Sequence, residues 1–429
     1  MNHSYLSLTS AQRQEALTAA REAYQAFVDR HLSLDLSRGK PSAEQLDLSD
    51  AMLSMPLTGG DCISEDGADC RNYGNWSGLS ELRHLFSDLT GVAADKIMIG
   101  GNSSLALMYD TISRAMIFGL GKSPRPWGRE EKLKFICPAP GYDRHFAITE
   151  LFGFELLTVD MTDTGPDMDQ VEALVKDDPA VKGIWCVPMY SNPTGVTYSD
   201  ETVRRLVRMP TAAPDFVIMW DNAYAIHDLD EKGDELLDVF AEAEQAGTED
   251  RIFYYTSFSK VTWAGAAVAM MAMSDANLAV MKPIQAVRTI GYDKMNQLRH
   301  LLFLKDRETT LLHMKKHAAI IKRKFSILLN ALDEDLEGLD VATWSRPNGG
   351  YFVTLRCMDG CARRVYDLCR HAGVTLTAAG AVFPYGKDPH DAYLRLAPTY
   401  PSDEDLAEAV RVLTVSVRLA SLEKLCQNT

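Results

Sequence analysis

No stretch of the sequence stays apolar for the roughly 20 residues that a membrane-spanning helix needs, and Met1 to Leu17 hold no basic segment followed by an apolar one. A cytoplasmic protein with no membrane part is the expectation. Positive charge is also scarce: 44 Lys and Arg face 59 Asp and Glu, a formal net charge of −15. That balance excludes a broad nucleic-acid surface, because phosphate binding needs clustered cations that the overall field would oppose. Any anionic ligand must be held locally. The eight cysteines, at 62, 70, 137, 186, 357, 361, 369 and 426, have no C-x-x-C spacing, so neither a disulfide framework nor a metal site is expected and the thiols are read as reduced. Walker A and G-x-G-x-x-G patterns are missing, which disfavours a nucleotide. There is no low-complexity tract, no repeat at solenoid periods and no Pro/Ser-rich linker.

What is present is 429 residues with 46% hydrophobic and 24% charged content, enough for two packed domains of a globular protein. Thr9 and Ser10 signal an opening helix, with Leu17, Ala20 and Tyr24 at helical spacing. From about residue 80 to 330 short apolar strands alternate with helices, which predicts a mostly parallel sheet covered on both faces. Its strands are expected at Ile97–Ile99, Leu133–Cys137, Glu155–Val159, Gly183–Val187, Phe216–Trp220, Ile252–Thr256 and Ala266–Met271, seven in all. From about residue 322 a long helix, strands at Tyr351–Leu355, Val374–Leu376 and Tyr393–Leu396, and a final helix capped by Ser402 predict a smaller α+β domain. The expected division is 1–60 joining the small domain, 61–321 as the large domain and 322–429 as the small domain.

In an open α/β sheet ligands bind beyond the carboxyl ends of the strands, and the residues just after the predicted strands carry reactive groups. Lys260 follows Ile252–Thr256 in Ser257-Phe-Ser-Lys260, where desolvation would turn its amine into a nucleophile for a carbonyl cofactor. For S-x-S-K alone, a surface lysine closing a loop is the better reading. Asp221, ending the run Asp215 to Trp220, is a carboxylate in need of a cation, which a protonated pyridine nitrogen supplies; Tyr224 lies three residues on. By itself Asp221 reads as a helix cap. Asn192, in Asn192-Pro193-Thr194-Gly195, offers an amide to a ring oxygen or a bound carboxylate. Gly100-Gly101-Asn102-Ser103-Ser104 leads from a strand into a helix and forms either a phosphate cradle or a tight turn with a Ser cap. Arg395, in an apolar strand, can grip a carboxylate through two parallel hydrogen bonds or form an internal salt bridge.

Taken together and in the order they occur along the chain, these motifs resemble the class I/II aminotransferases of pyridoxal 5′-phosphate (PLP) fold type I over nearly the whole chain. The likeness is strongest to a bacterial aspartate aminotransferase-like subgroup with an S-R-G-K-P segment, here Ser37 to Pro41. The resemblance implies Lys260 as the Schiff-base lysine, Asp221 as the pyridinium partner, Tyr224 and Asn192 as donors on the ring hydroxyl side, and Ser257 as a phosphate ligand. It also implies Arg395 as the α-carboxylate clamp, Tyr142 stacked on the ring, His145 supporting the carboxylate, and Gly39 contacting substrate through its backbone. Tyr73, in Y-x-x-x-x-G-x-x-x-L-R, would reach the phosphate of the neighbouring subunit, which implies a homodimer with shared sites. Pro347-Asn-Gly349-Gly350-Tyr351 resembles the start of the small-domain strand and is read as structural.

One departure is clear. The family usually has a phosphate-binding arginine several residues after the lysine, whereas here the chain reads Val261-Thr-Trp-Ala-Gly265-Ala-Ala-Val-Ala. The phosphate is therefore expected to lean on Ser103, Ser104, Ser257, helix amides and Tyr73. The implied reaction is ping-pong transfer of an amino group, with Lys260 as the proton carrier. Aspartate with 2-oxoglutarate is the first expectation for substrates; alanine, aromatic and 2-aminoadipate-type donors are alternatives. A dicarboxylate needs a second cation, for which Arg38 and Arg144 are the candidates. The competing functions are a C–S lyase or acyl-condensing enzyme with the same lysine, and, more remotely, a regulatory protein, which residues 1–70 do not favour because they offer no basic recognition surface.

Overall fold

The computed structural model describes residues 4–427. Its centre is an eight-stranded sheet whose order across the molecule is Ile97–Ile99, Ala269–Met273, Ile252–Ser257, Val217–Asp221, Val181–Cys186, Lys134–Ala139, Glu155–Thr162 and Gly165–Pro166. The five strands from Ile252–Ser257 to Glu155–Thr162 in this order run parallel, while Ala269–Met273 is antiparallel to both its neighbours. All seven expected strands are in it, with ends shifted by up to three residues. The eighth, Gly165–Pro166, pairs antiparallel with the outer strand; two residues carry no periodicity, and a proline is tolerated there because the strand is an edge.

The sheet is sandwiched because its strands are apolar on both faces. Along Val217–Asp221, Ile218 and Trp220 join one buried cluster and Val217 and Met219 the other; Ile252 and Tyr254 alternate in the same way with Phe253 and Tyr255. A third cluster joins Leu17, Ala20 and Tyr24 of the opening helix Ser10–Val28 to the C-terminal helix Asp403–Gln427 and to the antiparallel sheet Ala342–Trp344, Val353–Cys357 and Tyr393–Leu396. Thr9 and Gln12 cap the opening helix reciprocally, and Ser402 Oγ accepts from the Asp405 amide as expected. Leu34–Asp35 pairs in parallel with Val374–Thr375, so the extended segment after the first helix lies against the C-terminal part. The long helix begins at Arg307, with Asp306 as its cap, and runs unbroken to Leu336 through residue 322. Among the described residues no helix is long and apolar enough to cross a membrane.

Candidate active site

The parallel strands deliver their carboxyl ends to one edge of the sheet, and a cavity of about 320 Å³ opens there. Its lining brings together Gly39, Ser103, Ser104, Tyr142, Arg144, Asn192, Asp221, Tyr224, Ser257, Lys260 and Arg395, residues from opposite ends of the chain. A larger hollow of about 460 Å³ near Trp344 has its arginines, Arg346 and Arg356, already paired with Asp333 and Asp359. The chemistry therefore lies in the smaller cavity.

Lys260 ends the short turn Phe258–Lys260 that follows Ile252–Ser257. It is open only in part, toward the cavity it lines, and the protein packed around it pushes its amine pKa down while the nearby charge of Asp221 works in the opposite direction. The ammonium nitrogen sits 4.9 Å from the Tyr224 ring centre and 5.8 Å from that of Tyr351.

Asp221 is the last residue of Val217–Asp221 and is 4% exposed. His145 Nε2 donates to its Oδ2 at 3.0 Å, and the imidazole is held by stacking on Trp185 at 4.4 Å. The other carboxylate oxygen, Oδ1, is buried with no partner among the described residues, as is Asn192 Oδ1. Orphaned buried acceptors are costly. A cationic ring nitrogen against Asp221 would answer the first, and the donor set therefore fits a pyridinium cofactor.

The remaining residues surround this pair. Burial raises the Tyr224 phenol well above its ordinary pKa and pushes Tyr142 up to about 12, so both are hydrogen-bond donors at neutral pH. Ser103 precedes the helix Ser104–Phe118 and spends no side-chain hydrogen bond on capping it, which leaves the hydroxyls of Ser103 and Ser104 beside the free amides of the first turn. Ser257 and Ser259, hydrogen-bonded to each other at 2.9 Å, line the same cavity. A side chain at Gly39 would displace the Phe352 ring, another cavity-lining residue, since a Cβ there would come within 2.0 Å of it.

Arg395 makes the internal salt bridge of its second reading from a position in the cavity wall. It donates to Asp143 Oδ1 at 3.2 Å and to Thr377 Oγ1. Arg38 is not among the lining residues; its side chain is 59% exposed and pairs with Asp35 at 2.7 Å. Arg144 lines the cavity and has no ion-pair partner among the described residues. Tyr73 is 83% exposed and lies outside the cavity of its own chain. The cations among the cavity-lining residues are Lys260, Arg144 and Arg395. Sequence reasoning missed Ser259, Phe352 and Asp143, and it took Tyr351 as structural, although that ring faces Lys260.

His227, three residues beyond Tyr224, was also missed. It is buried against Tyr224 and Tyr351, and burial, helped by the charge of Lys260, lowers its pKa to about 3. An unfolded chain protonates this histidine near pH 6.5, the folded chain only near 3, so its contribution to stability is complete above 6.5 and is lost as pH falls across that window. The expected loss is on the order of a few kcal/mol by pH 4. Melting temperatures of wild type and His227→Gln from pH 7 to 4 check it: the wild-type curve should fall more steeply, and parallel curves would rule out the linkage.

Comparison with known proteins agrees with this geometry. A sequence model of the family described as aspartate amino-transferase matches residues 8–429. The aspartate aminotransferase of Corynebacterium glutamicum is 45% identical over 403 residues, covering 94% of this chain and 93% of that protein. A crystal structure of an aspartate transaminase from the same organism superposes with a TM-score of 0.95 at 43% identity, covering 97% of this chain and 98% of the other. The α-aminoadipate aminotransferase of Thermus thermophilus, solved with N-(5′-phosphopyridoxyl)-L-leucine, shares the fold with a TM-score of 0.71 at 22% identity, over 95% of this chain and 98% of its own.

Proposed function

The chain belongs to the aspartate aminotransferase family, as an aminotransferase of PLP fold type I, and on that premise we propose that it uses PLP to move the amino group of L-aspartate to 2-oxoglutarate by a ping-pong mechanism. The observation that carries this reading is the buried Asp221, braced on one oxygen by His145 and unpartnered on the other, in the same cavity as the desolvated Lys260.

In this reading Asp221 holds the ring nitrogen, Tyr224 and Asn192 donate toward the ring hydroxyl side, and Tyr142 covers a ring face. Ser103, Ser104, Ser257 and the first-turn amides of Ser104–Phe118 hold the phosphate, with Tyr73 contributed by a partner subunit. An exposed apolar patch supports that homodimer: Val287 is 91% and Ile290 60% exposed, and Lys294 Nζ donates to the Gly74 carbonyl, tying their segment to the loop of Tyr73. Bound there, the cofactor supplies an electron sink for the carbanion formed at the substrate Cα. Lys260 removes and returns the Cα proton; its lowered pKa keeps a fraction of the amine neutral for that work. Arg395 binds the α-carboxylate, displacing Asp143, and Gly39 meets substrate through its backbone. We assign residues 61–321 to a large cofactor-binding domain, with 1–60 joining 322–429 in a small one, and we read the protein as cytoplasmic.

Of the two cations weighed for a distal carboxylate, the geometry favours Arg144, because Arg38 is spent on Asp35 away from the cavity. Arg144→Gln should lower kcat/KM for aspartate and 2-oxoglutarate by about 10- to 100-fold, the worth of one charged hydrogen bond, and change that for alanine much less. Arg38→Gln should stay near wild type. Equal losses on aspartate and alanine would remove Arg144 from side-chain recognition. The reading as a whole is tested by visible absorbance of the PLP-treated protein, expected to be lost on adding aspartate and restored by 2-oxoglutarate. Loss without restoration by any 2-oxo acid would point to a lyase, and no absorbance after adding PLP would overturn the proposal.

A further inference from the structure

Two of the chain's ten histidines, His313 and His300, hydrogen-bond Val261 and Thr262, the residues after Lys260, while His317 packs on His313 and His227 on the Tyr224 and Tyr351 rings that face Lys260. His313 and His317 are one turn apart in the helix Arg307–Leu336 and so share a face. His313 Nε2 donates to the Val261 carbonyl at 2.7 Å, and His317 Nε2 lies 3.1 Å from that of His313. His300 receives the Thr262 hydroxyl at 2.8 Å on Nε2, its Nδ1 being spent on the Asn296 carbonyl of its own helix. His227 faces the Lys260 backbone, although neither ring nitrogen makes a hydrogen bond of ordinary geometry.

The hydrogen bonds to Val261, Thr262 and Gln45 fix which ring nitrogen carries the proton in His313, His300 and His317. Gln45 Nε2 donates to His317 Nδ1 at 3.2 Å, which makes that nitrogen an acceptor and leaves the proton on Nε2. The hydrogen bond to the Val261 carbonyl is made by His313, and the His317 ring packs edge-on against that of His313. Both imidazoles are held neutral by burial, with His317 lowered to about 3. A charged imidazole at 317 would turn an N–H against the Gln45 amide.

The same network reaches the cavity wall. Gln45 is fully buried in the short helix Ala43–Asp47 that follows Gly39, and it donates to Tyr351 OH at 2.8 Å. Trp263 Nε1 donates to the Leu46 carbonyl at 3.2 Å, so the lysine loop and the Gly39 segment are joined twice. The Val261 carbonyl has the His313 imidazole as its partner instead of a backbone amide, and a lysine on so short a turn keeps much rotamer freedom unless its backbone is fixed.

We propose that His313 and His317, supported by His300 and His227, are positioning residues: they fix the backbone of Lys260–Thr262 so that the amine faces the Asp221 cavity, and through Gln45 they lock that turn to the Gly39 segment of the cavity wall. The proposal rests on the reading of Lys260 as the reactive amine.

The test uses the full chain freed of cofactor. Lys260 is acylated over a range of pH and its peptide is quantified by mass spectrometry, with exposed Lys322 as an internal reference. His313→Phe keeps bulk and loses the donor; His313→Gln keeps an N–H donor; Thr262→Val is a milder variant that cuts the link to His300 together with the hydroxyl's 3.3 Å contact to the Phe258 carbonyl. His313→Phe should move the Lys260 midpoint by at least about half a pH unit, a modest change of surroundings, with Thr262→Val smaller in the same direction and His313→Gln near wild type. In the loaded enzyme kcat should fall about tenfold, as expected of a misplaced proton carrier, with KM nearly unchanged. Variants that melt at lower temperature but leave the Lys260 midpoint and kcat as in wild type would overturn the clamp and leave packing alone. Should His313→Phe not fold, Thr262→Val with a wild-type midpoint overturns it equally. A wild-type Lys260 that reacts like Lys322 would instead overturn the assignment of the reactive lysine.

Discussion

Lys260→Ala should lower transaminase turnover by at least about a thousandfold, the scale of losing a positioned acid–base group together with a covalent attachment point. The fold should survive, since among the described residues the Lys260 amine has no hydrogen-bond or ion-pair partner, and its removal relieves a desolvated cation at the edge of the cavity. Lys260→Arg separates charge from chemistry: a guanidinium retains the cation facing Asp221 but stays protonated far above any working pH, so it can neither attack a carbonyl nor accept the Cα proton. Both variants are therefore expected to fail alike in turnover. Small primary amines added to the alanine variant should recover part of the rate in proportion to their basicity, because the missing function is proton transfer in a cavity with room for a replacement. Single-turnover kinetics with aspartate read this directly. A Lys260→Arg enzyme within tenfold of wild type would show that the charge, and not a titrating amine, is what matters at this position.

Groups at strand ends were legible in the sequence, because a parallel sheet brings those ends together whatever the loops do. Asp221, Lys260 and Asn192 each follow an apolar run that could be read as a strand, and the cavity collects all three. What could not be read were pairings made across the chain. Arg395 meets Asp143 from 252 residues away, and nothing local announces that contact. Arg38, by contrast, was discountable in principle, since Asp35 stands three residues before it and the two pair locally. The histidines around Lys260 come from positions 227, 300, 313 and 317, and only the last two carry a periodic signal, one shared with any pair on a helix face. The long helix begins well before its expected start near 322: Asp306 caps it more than four turns earlier.

Asp221→Asn should produce a protein that is at least as stable as wild type without cofactor and severely impaired with it. In the free protein the carboxylate is buried, its Oδ1 has no partner, and only His145 meets Oδ2. An incompletely paired buried charge opposes folding, and asparagine removes it while still offering His145 an acceptor. The cofactor-free variant should therefore melt at the same temperature or higher. In the loaded enzyme the same change removes the anion that would hold a ring nitrogen protonated, and kcat should drop by about 100- to 10,000-fold, in the range of lost electrostatic and acid–base assistance. A third consequence fixes the sign of the coupling. The charge of Asp221 raises the Lys260 pKa against the lowering by burial, so neutralising it must move the Lys260 titration further down. Lys260 should react at lower pH in Asp221→Asn than in wild type, by the same labelling measurement. A midpoint that stays put or rises would mean that the two groups do not sense each other, and a cofactor-free variant that melts well below wild type would mean that Asp221 is held for the fold. With both shifts as expected, the carboxylate is a group the chain keeps at a cost in stability, and the cation that offsets that cost arrives with the cofactor.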